Sequence, residues 1–346
     1  MKDSNPPGGV AGTLDCARLD EYLRGKLDGL VGSLRIQPIA GGQSNPTFFV
    51  SYDNRAWVLR KQPGALLLPS AHAIDREYRV MSALWGSAVA VPRTVLYERE
   101  TRIVGTPFYI MERLPGRVFS DASLPGVSAG DRRDMYRSMV ATLAALHLLD
   151  YELLGLGDFG KPGNYFARQF GRWSKQWQLG RIEDNPALNA VMEWLPEHVP
   201  RTDRTRLCHG DFRLGNLMFH TSEPRVVGVL DWELSTLGHP LADVAFNCLA
   251  WRTLPEEYGG IRGLNLAALG IPDETEYLSW YYSMTGCETR AEPFHYVFAL
   301  FRLAVIFEGI AARARSGLAV SASARSGSDL GRAFANRALE IIHQNH

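Results

Sequence analysis

Two acids and an amide around a predicted β-hairpin are the feature that most constrains this chain. Asp211 precedes Asn216 by five residues, and Asp231 directly follows the apolar run 226–230. Short apolar runs bounded by turn residues predict strands over 216–219 and 226–230. Mg²⁺ prefers oxygen ligands, which carboxylates and amides supply. The pattern therefore indicates that these three side chains converge at one site suited to a divalent cation.

Strand patterns occupy the first third of the chain, and helical patterns occupy most of the rest. A small N-terminal lobe is predicted to contain two helices, over 15–31 and 71–85, and five strands, over 34–40, 47–52, 56–61, 93–98 and 106–112. The segment 113–130 is dense in Gly, Pro and Ser, which is typical of a connector. We expect an α+β fold with an N-terminal domain over 1–112, a connector over 113–130 and a helical C-terminal domain over 131–346.

The composition fits a folded protein and argues against two classes of partner. Hydrophobic residues make up 46% of the chain, which is enough for a sizeable core. Lysine and arginine number 37 and so do aspartate and glutamate, so overall charge does not favour nucleic acid or an anionic membrane. The longest apolar stretch, 298–307, contains Arg302 and is too short to cross a bilayer. The sequence leaves the oligomeric state open.

The cysteines and the N-terminus indicate the cellular compartment. The four cysteines stand far apart and form no CxxC pair, which is typical of reduced thiols: Cys16, Cys208, Cys248 and Cys287. The first residues contain no apolar segment of the kind found in secretory signals. We therefore expect a cytoplasmic protein.

The segments His209–Asn216 (HGDFRLGN) and Leu230–Glu233 (LDWE) resemble the catalytic core of the aminoglycoside phosphotransferase and choline kinase family. That family is related to the eukaryotic protein kinases. The resemblance implies a protein-kinase-like two-lobed fold, with a small β-rich N-terminal lobe and a large helical C-terminal lobe. It also implies a phosphotransferase that uses ATP and Mg²⁺ and acts on a hydroxyl group of a small-molecule substrate.

The resemblance also implies roles for individual residues of these motifs. Asp211 corresponds to the catalytic base that accepts the proton of the substrate hydroxyl, and Arg213 lies where the transferred phosphate is contacted. Asn216 and Asp231 correspond to the metal ligands. Two further residues are implied to support the loop rather than to touch substrate: His209 and Asp243.

In the N-terminal lobe, a Gly-rich turn and a strand end carry the resemblance. The turn GGQSNPT lies where kinases place a phosphate-covering loop, and its candidate phosphate contacts are Gly42, Ser44 and Asn45. The run YIMERL is similar to the last strand of the lobe and the hinge that follows it. There the backbone of Glu112 and Leu114 is expected to bind the adenine edge.

The cation expected to contact the α- and β-phosphates lies on the third predicted strand. The position of the family's lysine aligns best with Arg60, which Lys61 follows directly. Adjacent residues of a strand face opposite sides, so only one of them can reach the nucleotide. We predict that Arg60 contacts the phosphates and pairs with Glu77, and that Lys61 faces solvent. An arginine suits this position because its guanidinium donates two parallel hydrogen bonds to a phosphate.

The acceptor molecule has two candidate classes. The runs FRLA at 301–304 and LAALH at 143–147 resemble kinase-like domains associated with acyl-CoA dehydrogenases, which implies a hydroxyacyl-CoA. An aminoglycoside is a polycation and requires carboxylates that converge on its amines. The segment 243–292 does contain eight acids, but they are spread over several predicted elements.

A group of arginines near the C-terminus favours the first class. Arg302 and Arg313 lie on one long predicted helix, and Arg315 follows it, so the three are candidates for recognising an anionic acceptor. We therefore expect a hydroxyacyl-CoA in preference to an aminoglycoside. A regulatory, nucleotide-binding pseudokinase and a protein kinase remain as alternatives.

Overall fold

The computed structural model describes residues 14–39, 45–64, 74–181, 183–315 and 327–344, which form two compact units. The smaller unit contains residues up to 82 together with 92–113. The larger unit contains 83–91 and the chain from 114 onward. The predicted boundary at residue 112 thus lies next to the end of the smaller unit, while residues 114–130 of the predicted connector belong to the larger one.

The smaller unit is built on a five-stranded antiparallel sheet, as the sequence predicts. Its strands are β1 (Arg35–Pro38), β2 (Thr47–Ser51), β3 (Ala56–Lys61), β4 (Thr94–Glu98) and β5 (Phe108–Glu112), in the spatial order β1–β2–β3–β5–β4. The register of β3 and β5 places Arg60 opposite Tyr109. Opposed residues of an antiparallel pair point to the same face, so these two side chains share one side of the sheet.

One described helix precedes the strands of this sheet, and a second lies between β3 and β4 in the chain. The helix α1 (Cys16–Lys26) begins after Asp15, whose side chain accepts the backbone N–H of Arg18 at 3.1 Å. Leu19 and Leu23 of α1 are fully buried in the apolar core that the strands form. The second helix, α2 (Ile74–Leu84), carries Glu77 in its first turn.

The larger unit is mainly helical. Its described α-helices are α3 (Ala129–Leu148), α4 (Tyr165–Gly180), α5 (Pro186–Trp194), α6 (Pro240–Asn247), α7 (Leu266–Leu269), α8 (Glu274–Thr285), α9 (Pro293–Arg315) and α10 (Gly327–Gln344). The long helix α9 lies at the centre of this unit and packs against α10, α4 and α6. Its apolar residues 297–301 are almost completely buried.

Two small sheets of the larger unit carry the motif region. One contains β6 (Arg117–Val118), β8 (Leu217–Phe219) and β9 (Val226–Val229), and the other pairs β7 (Arg206–Cys208) with β10 (Thr236–Gly238). The predicted hairpin is therefore confirmed. The sequence missed β7 and β10 because three residues are too few for an alternating pattern. It also took β6 for part of a connector, although β6 pairs with β8.

One described helix is long and apolar enough to cross a membrane by length and composition, over Pro293–Ala312 of α9. In this structure 72% of that apolar window is buried inside the larger unit. Arg302 lies in the same window and is itself buried at 4% exposure. A core helix that is surrounded by other helices accounts for this apolar composition.

Candidate active site

The loop that leaves β7 carries Asp211 directly after a glycine with an unusual backbone conformation. Gly210 has a φ of +84°. A Cβ atom at this position would lie 2.4 Å from the carbonyl oxygen of Leu234, so both the conformation and the space require glycine. This turn follows the end of β7 and sets the position of the next residue, Asp211.

The Asp243 carboxylate holds the backbone of this loop. Asp243 lies on α6, is fully buried, and accepts the backbone N–H groups of His209 at 2.6 Å and Gly210 at 2.9 Å. His147 of α3 places its Nε2 3.5 Å from the same carboxylate and its Nδ1 2.7 Å from the hydroxyl of Tyr281. Burial alone would raise the pKa of Asp243, but His147, His209 and the Gly210 N–H together lower it. The carboxylate is therefore ionised, as its two N–H donors require.

Asp231 is tied to the same loop through the residue before it. Leu230 donates its backbone N–H to the carbonyl of Asn216 at 2.8 Å, and its own carbonyl lies 2.9 Å from Nε2 of His209. The Nδ1 of His209 accepts the backbone N–H of Asp211 at 3.2 Å, so its Nε2 carries the proton that is donated to Leu230. Asp231 itself adopts left-handed backbone angles, with φ 64° and ψ 63°. Such a conformation is uncommon outside glycine and is concentrated at functional positions.

Three of the predicted residues are brought together in this way. Asn216 donates its side-chain amide to the Asp211 carboxylate at 2.7 Å, and Arg213 places Nε 3.5 Å from the other carboxylate oxygen. Burial raises the pKa of Asp211 and the nearby Asp231 carboxylate raises it further, while Arg213 and Asn216 oppose this shift. Asp211 is thus a carboxylate whose surroundings favour taking up a proton, although its side chain keeps 23% exposure.

The Asp231 carboxylate and the Asn216 amide also fit the donor set of a magnesium ion. The Asn216 amide nitrogen is directed at Asp211, which leaves the amide oxygen as the atom that it can offer to a cation. Asp231 directly follows Leu230, whose backbone N–H and carbonyl are both hydrogen-bonded. Both atoms are hard oxygen donors of the kind that Mg²⁺ prefers.

Arg213 lies across the loop and against an aromatic ring. Its guanidinium carbon is 4.9 Å from the centroid of the Tyr258 ring. A Cβ atom on Gly215 would lie 2.5 Å from Nη1 of Arg213, so the glycine leaves room for the guanidinium. Tyr258 has a φ of +68° and packs edge-on against Phe307 of α9. The sequence offered no signal for Tyr258, because its role depends on a backbone conformation.

An apolar cleft lies next to these groups within the larger unit. It is partly open to solvent, and Arg213 and Tyr258 are among its lining residues. Most of the rest of the lining is apolar, with these larger side chains: Tyr136, Met139, Phe246, Leu303 and Phe334. None of the described residues that line it is an aspartate or a glutamate.

In the smaller unit, at least three described side chains bind Glu77. Arg60 places Nε 3.1 Å from one Glu77 carboxylate oxygen, and the hydroxyl of Tyr109 donates to the same oxygen at 2.8 Å. Asn45 donates its amide to the other oxygen at 2.8 Å. The ion pair between Arg60 and Glu77 is therefore confirmed. The side-chain amide of the buried Asn45 thus donates to Glu77, and its predicted contact with phosphate stays a prediction.

The strand register separates Arg60 from Lys61 as predicted, but Lys61 does not face solvent. Its ammonium donates to the backbone carbonyl of Val104, and the side chain is only partly exposed. Burial lowers the pKa of Lys61. The prediction of a solvated lysine was wrong because a backbone carbonyl of the same unit binds the ammonium and the side chain is partly buried.

Four further residues were predicted to contact the nucleotide: Gly42, Ser44, Glu112 and Leu114. Gly42 and Ser44 lie outside the described residues. The backbone N–H of Glu112 donates to the carbonyl of Arg93 at 2.8 Å, so that group is already used within the sheet. Leu114 is half-buried beside Gly228. For both hinge residues, the contact with adenine stays a prediction.

The expectation that Arg302 recognises the acceptor was wrong. Arg302 is buried at 4% exposure and donates Nη2 to the backbone carbonyl of Gly210 at 2.7 Å. It is therefore engaged by the loop that carries Asp211. The side chains of Arg313 and Arg315 lie outside the described part of the chain.

One unit is built on a sheet, and the other is mainly helical and carries an acid, an amide and a second acid close to one another. This combination is typical of the kinase-like fold of small-molecule phosphotransferases. The family comparison agrees with this structural class. The model of the phosphotransferase enzyme family (APH) matches residues 35–277. The chain therefore belongs to that family, and the predicted fold class is confirmed.

Curated relatives are similar over most of this chain. Acyl-CoA dehydrogenase family member 10 of Mus musculus is 42% identical over 328 residues, which cover 93% of this chain and 31% of that protein. Acyl-CoA dehydrogenase family member 11 of Rattus norvegicus is 42% identical over 310 residues, which cover 86% of this chain and 39% of that protein. The chain thus spans between about a third and two fifths of the length of these relatives.

Solved structures support the same class. A protein from Ralstonia eutropha, described as a candidate aminoglycoside phosphotransferase, is 43% identical with a TM-score of 0.86, covering 96% of this chain and 99% of that one. The aminoglycoside phosphotransferase APH(4)-Ia in complex with AMP-PNP and hygromycin B has a TM-score of 0.60 at 17% identity, covering 94% and 98% of the two chains. The second likeness concerns the fold alone.

Proposed function

We propose that this protein transfers the γ-phosphate of ATP, in a Mg²⁺-dependent reaction, to a hydroxyl group of a small molecule. The observation that carries the proposal is the position of Arg213. The same guanidinium lies against the Asp211 carboxylate and lines the apolar cleft. A candidate base and a cleft for an acceptor are thereby adjacent within one unit, which is the arrangement that proton abstraction from a bound hydroxyl requires.

Asp211 accepts the proton of the acceptor hydroxyl as the hydroxyl oxygen bonds to the γ-phosphorus and the bond from that phosphorus to ADP breaks. The raised pKa of Asp211 suits a group that must take up a proton. Arg213 places positive charge beside the reacting groups. Asn216 and Asp231 would hold the magnesium ion, which would neutralise phosphate charge.

In the smaller unit, Arg60 donates to the α- and β-phosphates of ATP. The Glu77 carboxylate orients the guanidinium and is in turn fixed by Tyr109 and Asn45. A buried carboxylate with three partners is a rigid support for a cation. AMP-PNP in the APH(4)-Ia complex supports the use of ATP here by analogy of fold.

The cleft favours a hydroxyacyl-CoA as the acceptor over an aminoglycoside. Binding a polycation requires carboxylates that pair with its ammonium groups, because a buried unpaired ammonium is costly. The described lining of the cleft contains none and offers apolar and aromatic side chains instead. An acyl chain gains free energy from burial against such a surface. The similarity to acyl-CoA dehydrogenase family members 10 and 11 supports the same class.

The acids of the segment 243–292 give no support to the aminoglycoside reading. Those whose partners are described bind groups of the protein itself. Glu274 pairs with Arg252 at 2.9 Å, and Glu257 pairs with Arg337 at 2.9 Å. Asp243 is buried on the loop backbone. Carboxylates that are already paired are poor candidates for binding a polycationic sugar.

A panel of acceptors tests the proposal directly. The purified protein is incubated with Mg²⁺, ATP labelled at the γ-phosphate, and either hydroxyacyl-CoAs of several chain lengths or kanamycin-type aminoglycosides. We expect label on at least one hydroxyacyl-CoA, with none when Asp211→Asn replaces the wild type. Transfer to the aminoglycosides alone would refute the acceptor class, and transfer to no hydroxyl compound would refute the function.

A further inference from the structure

Arg302 is a buried cation whose described contacts explain little of its presence. It lies on α9 at 4% exposure and makes one hydrogen bond, from Nη2 to the carbonyl of Gly210 at 2.7 Å. Its Nε and Nη1 have no hydrogen-bond partner among the described residues. The rings of Trp173 and Phe246 lie 5.6 and 5.5 Å from its guanidinium carbon. No described carboxylate is within ion-pair distance of it.

Stability alone does not account for a cation in this position. Burying a charge carries a large desolvation penalty, and apolar residues of similar volume often replace buried ions at no cost or with a gain in stability. Cation–π contacts offset only part of this penalty. The retained guanidinium is therefore best explained by what its single hydrogen bond does.

That hydrogen bond fixes the peptide that directly precedes the candidate base. The carbonyl of Gly210 binds Arg302, and the N–H of the same peptide, which belongs to Asp211, binds Nδ1 of His209 at 3.2 Å. The preceding N–H, that of Gly210, binds Asp243 at 2.9 Å, and the carbonyl of Asp211 binds Asn216 at 2.8 Å. Four successive backbone groups around the base are thus held by four different side chains.

Glycine makes this restraint necessary. A residue without Cβ allows the peptide planes on either side of it to rotate at small steric cost, and Gly210 adopts a φ of +84°. Rotation of the 210–211 peptide would move the Cα of Asp211 and swing its carboxylate away from Arg213 and Asn216. A misplacement of about 1 Å at a catalytic group can cost roughly 10²-fold in rate.

We propose that Arg302 is a positioning residue, which holds the 210–211 peptide in the orientation that directs Asp211 at the acceptor hydroxyl. This inference rests on the proposed function, since it assigns Arg302 a part in the same reaction. Arg302 touches neither acceptor nor nucleotide and acts only through the backbone of Gly210.

Two variants and one matched control test it. Arg302→Met removes the hydrogen bond and fills the same apolar space, and Arg302→Lys keeps a single donor. Arg252→Met is the control: Arg252 is a half-buried arginine that stacks on the ring of Tyr296 at 3.7 Å and pairs with Glu274, but it does not contact the loop. Thermal melting of all three confirms folding before other measurements.

Backbone amide exchange over residues 208–216, measured by mass spectrometry, needs no acceptor and is the first readout. We expect faster exchange in Arg302→Met, an intermediate rate in Arg302→Lys and the wild-type rate in Arg252→Met. Unchanged exchange in Arg302→Met overturns the proposal whether or not the protein is a kinase.

Steady-state kinetics with an accepted substrate is the second readout. We expect kcat to fall about tenfold or more in Arg302→Met, with KM for ATP and acceptor unchanged, because a positioning defect affects the reacting state. Arg302→Lys should give an intermediate kcat. Wild-type kcat in Arg302→Met overturns the inference and leaves the proposed function intact, whereas an inactive wild type refutes the proposed function itself. Should Arg302→Met not fold, wild-type kcat in Arg302→Lys overturns the inference.

Discussion

Asn216 donates its side-chain amide to both the carboxylate and the main-chain carbonyl of Asp211, at 2.7 and 2.8 Å. One residue thereby fixes the candidate base through two atoms. The same amide has an oxygen that suits a magnesium ion. A substitution of Asn216 is therefore expected to change both the position of the base and the affinity for the metal. A substitution of Asp211 is expected to change the base alone.

This coupling predicts different kinetic results for two neighbouring substitutions. Asp211→Asn should lower kcat by about 10²-fold or more while Mg²⁺-dependent ATP binding stays near the wild-type level, because only the proton acceptor is lost. Asn216→Ala should lower kcat and also weaken ATP binding in Mg²⁺. Isothermal titration with a non-hydrolysable ATP analogue, with and without Mg²⁺, measures the binding. A kcat of the wild-type size in Asp211→Asn would remove Asp211 from the mechanism.

The strand β3 gives a second prediction, which depends on which face each cation occupies. Arg60→Ala should raise the dissociation constant for ATP about tenfold or more, the usual loss for one charge-assisted hydrogen bond. Lys61→Met should leave ATP binding unchanged, because the Lys61 ammonium is bound to the carbonyl of Val104. Titration calorimetry on both variants provides the comparison. The opposite ranking would show that Lys61, and not Arg60, contacts the nucleotide.

The sequence predicted what adjacent residues determine and missed what distant residues contribute. The hairpin beside Asp211 and the face occupied by Arg60 follow from local patterns, apolar runs and strand alternation. The burial of Arg302 on Gly210 joins residues 92 positions apart. No local pattern contains that pairing, so an arginine on a helix was taken for a substrate contact. Tyr258 was missed for a related reason, since its position beside Arg213 follows from a positive φ.

Asp243 gives a third prediction, on the pH dependence of stability. Asp243→Asn should lower the free energy of unfolding at pH 7 by about 1.5–3 kcal/mol, the range for a hydrogen bond to a charged group. The folded state lowers the pKa of Asp243, so its stabilising contribution is present above the pKa of the unfolded chain, near 4, and is lost as the pH falls through the folded value. The difference between wild type and variant should therefore shrink in acid.

The charged and titratable groups that face Asp243 define the control for this experiment. They come from several elements and are His147, Tyr165, Cys208, His209 and Tyr281. Denaturant unfolding is measured for both proteins from pH 7 to pH 3, and His147→Gln is included because Nε2 of His147 lies 3.5 Å from the Asp243 carboxylate. A difference that stays constant over the whole pH range would contradict the assignment of this acid dependence to Asp243.

The last prediction tests whether the apolar cleft is where the acceptor binds. Ala250 lines the cleft and forms no part of the loop that carries Asp211. Ala250→Leu adds apolar volume there and should raise KM for a hydroxyacyl-CoA, more strongly for longer acyl chains, while the dissociation constant for ATP stays unchanged. The dependence on chain length follows because each buried methylene contributes about 0.8 kcal/mol and its loss grows with the length that no longer fits. Leu153→Ala, at an exposed position outside the cleft lining, is the control and should leave both constants unchanged. KM values for acyl-CoAs that do not respond to Ala250→Leu would place the acceptor elsewhere on the protein.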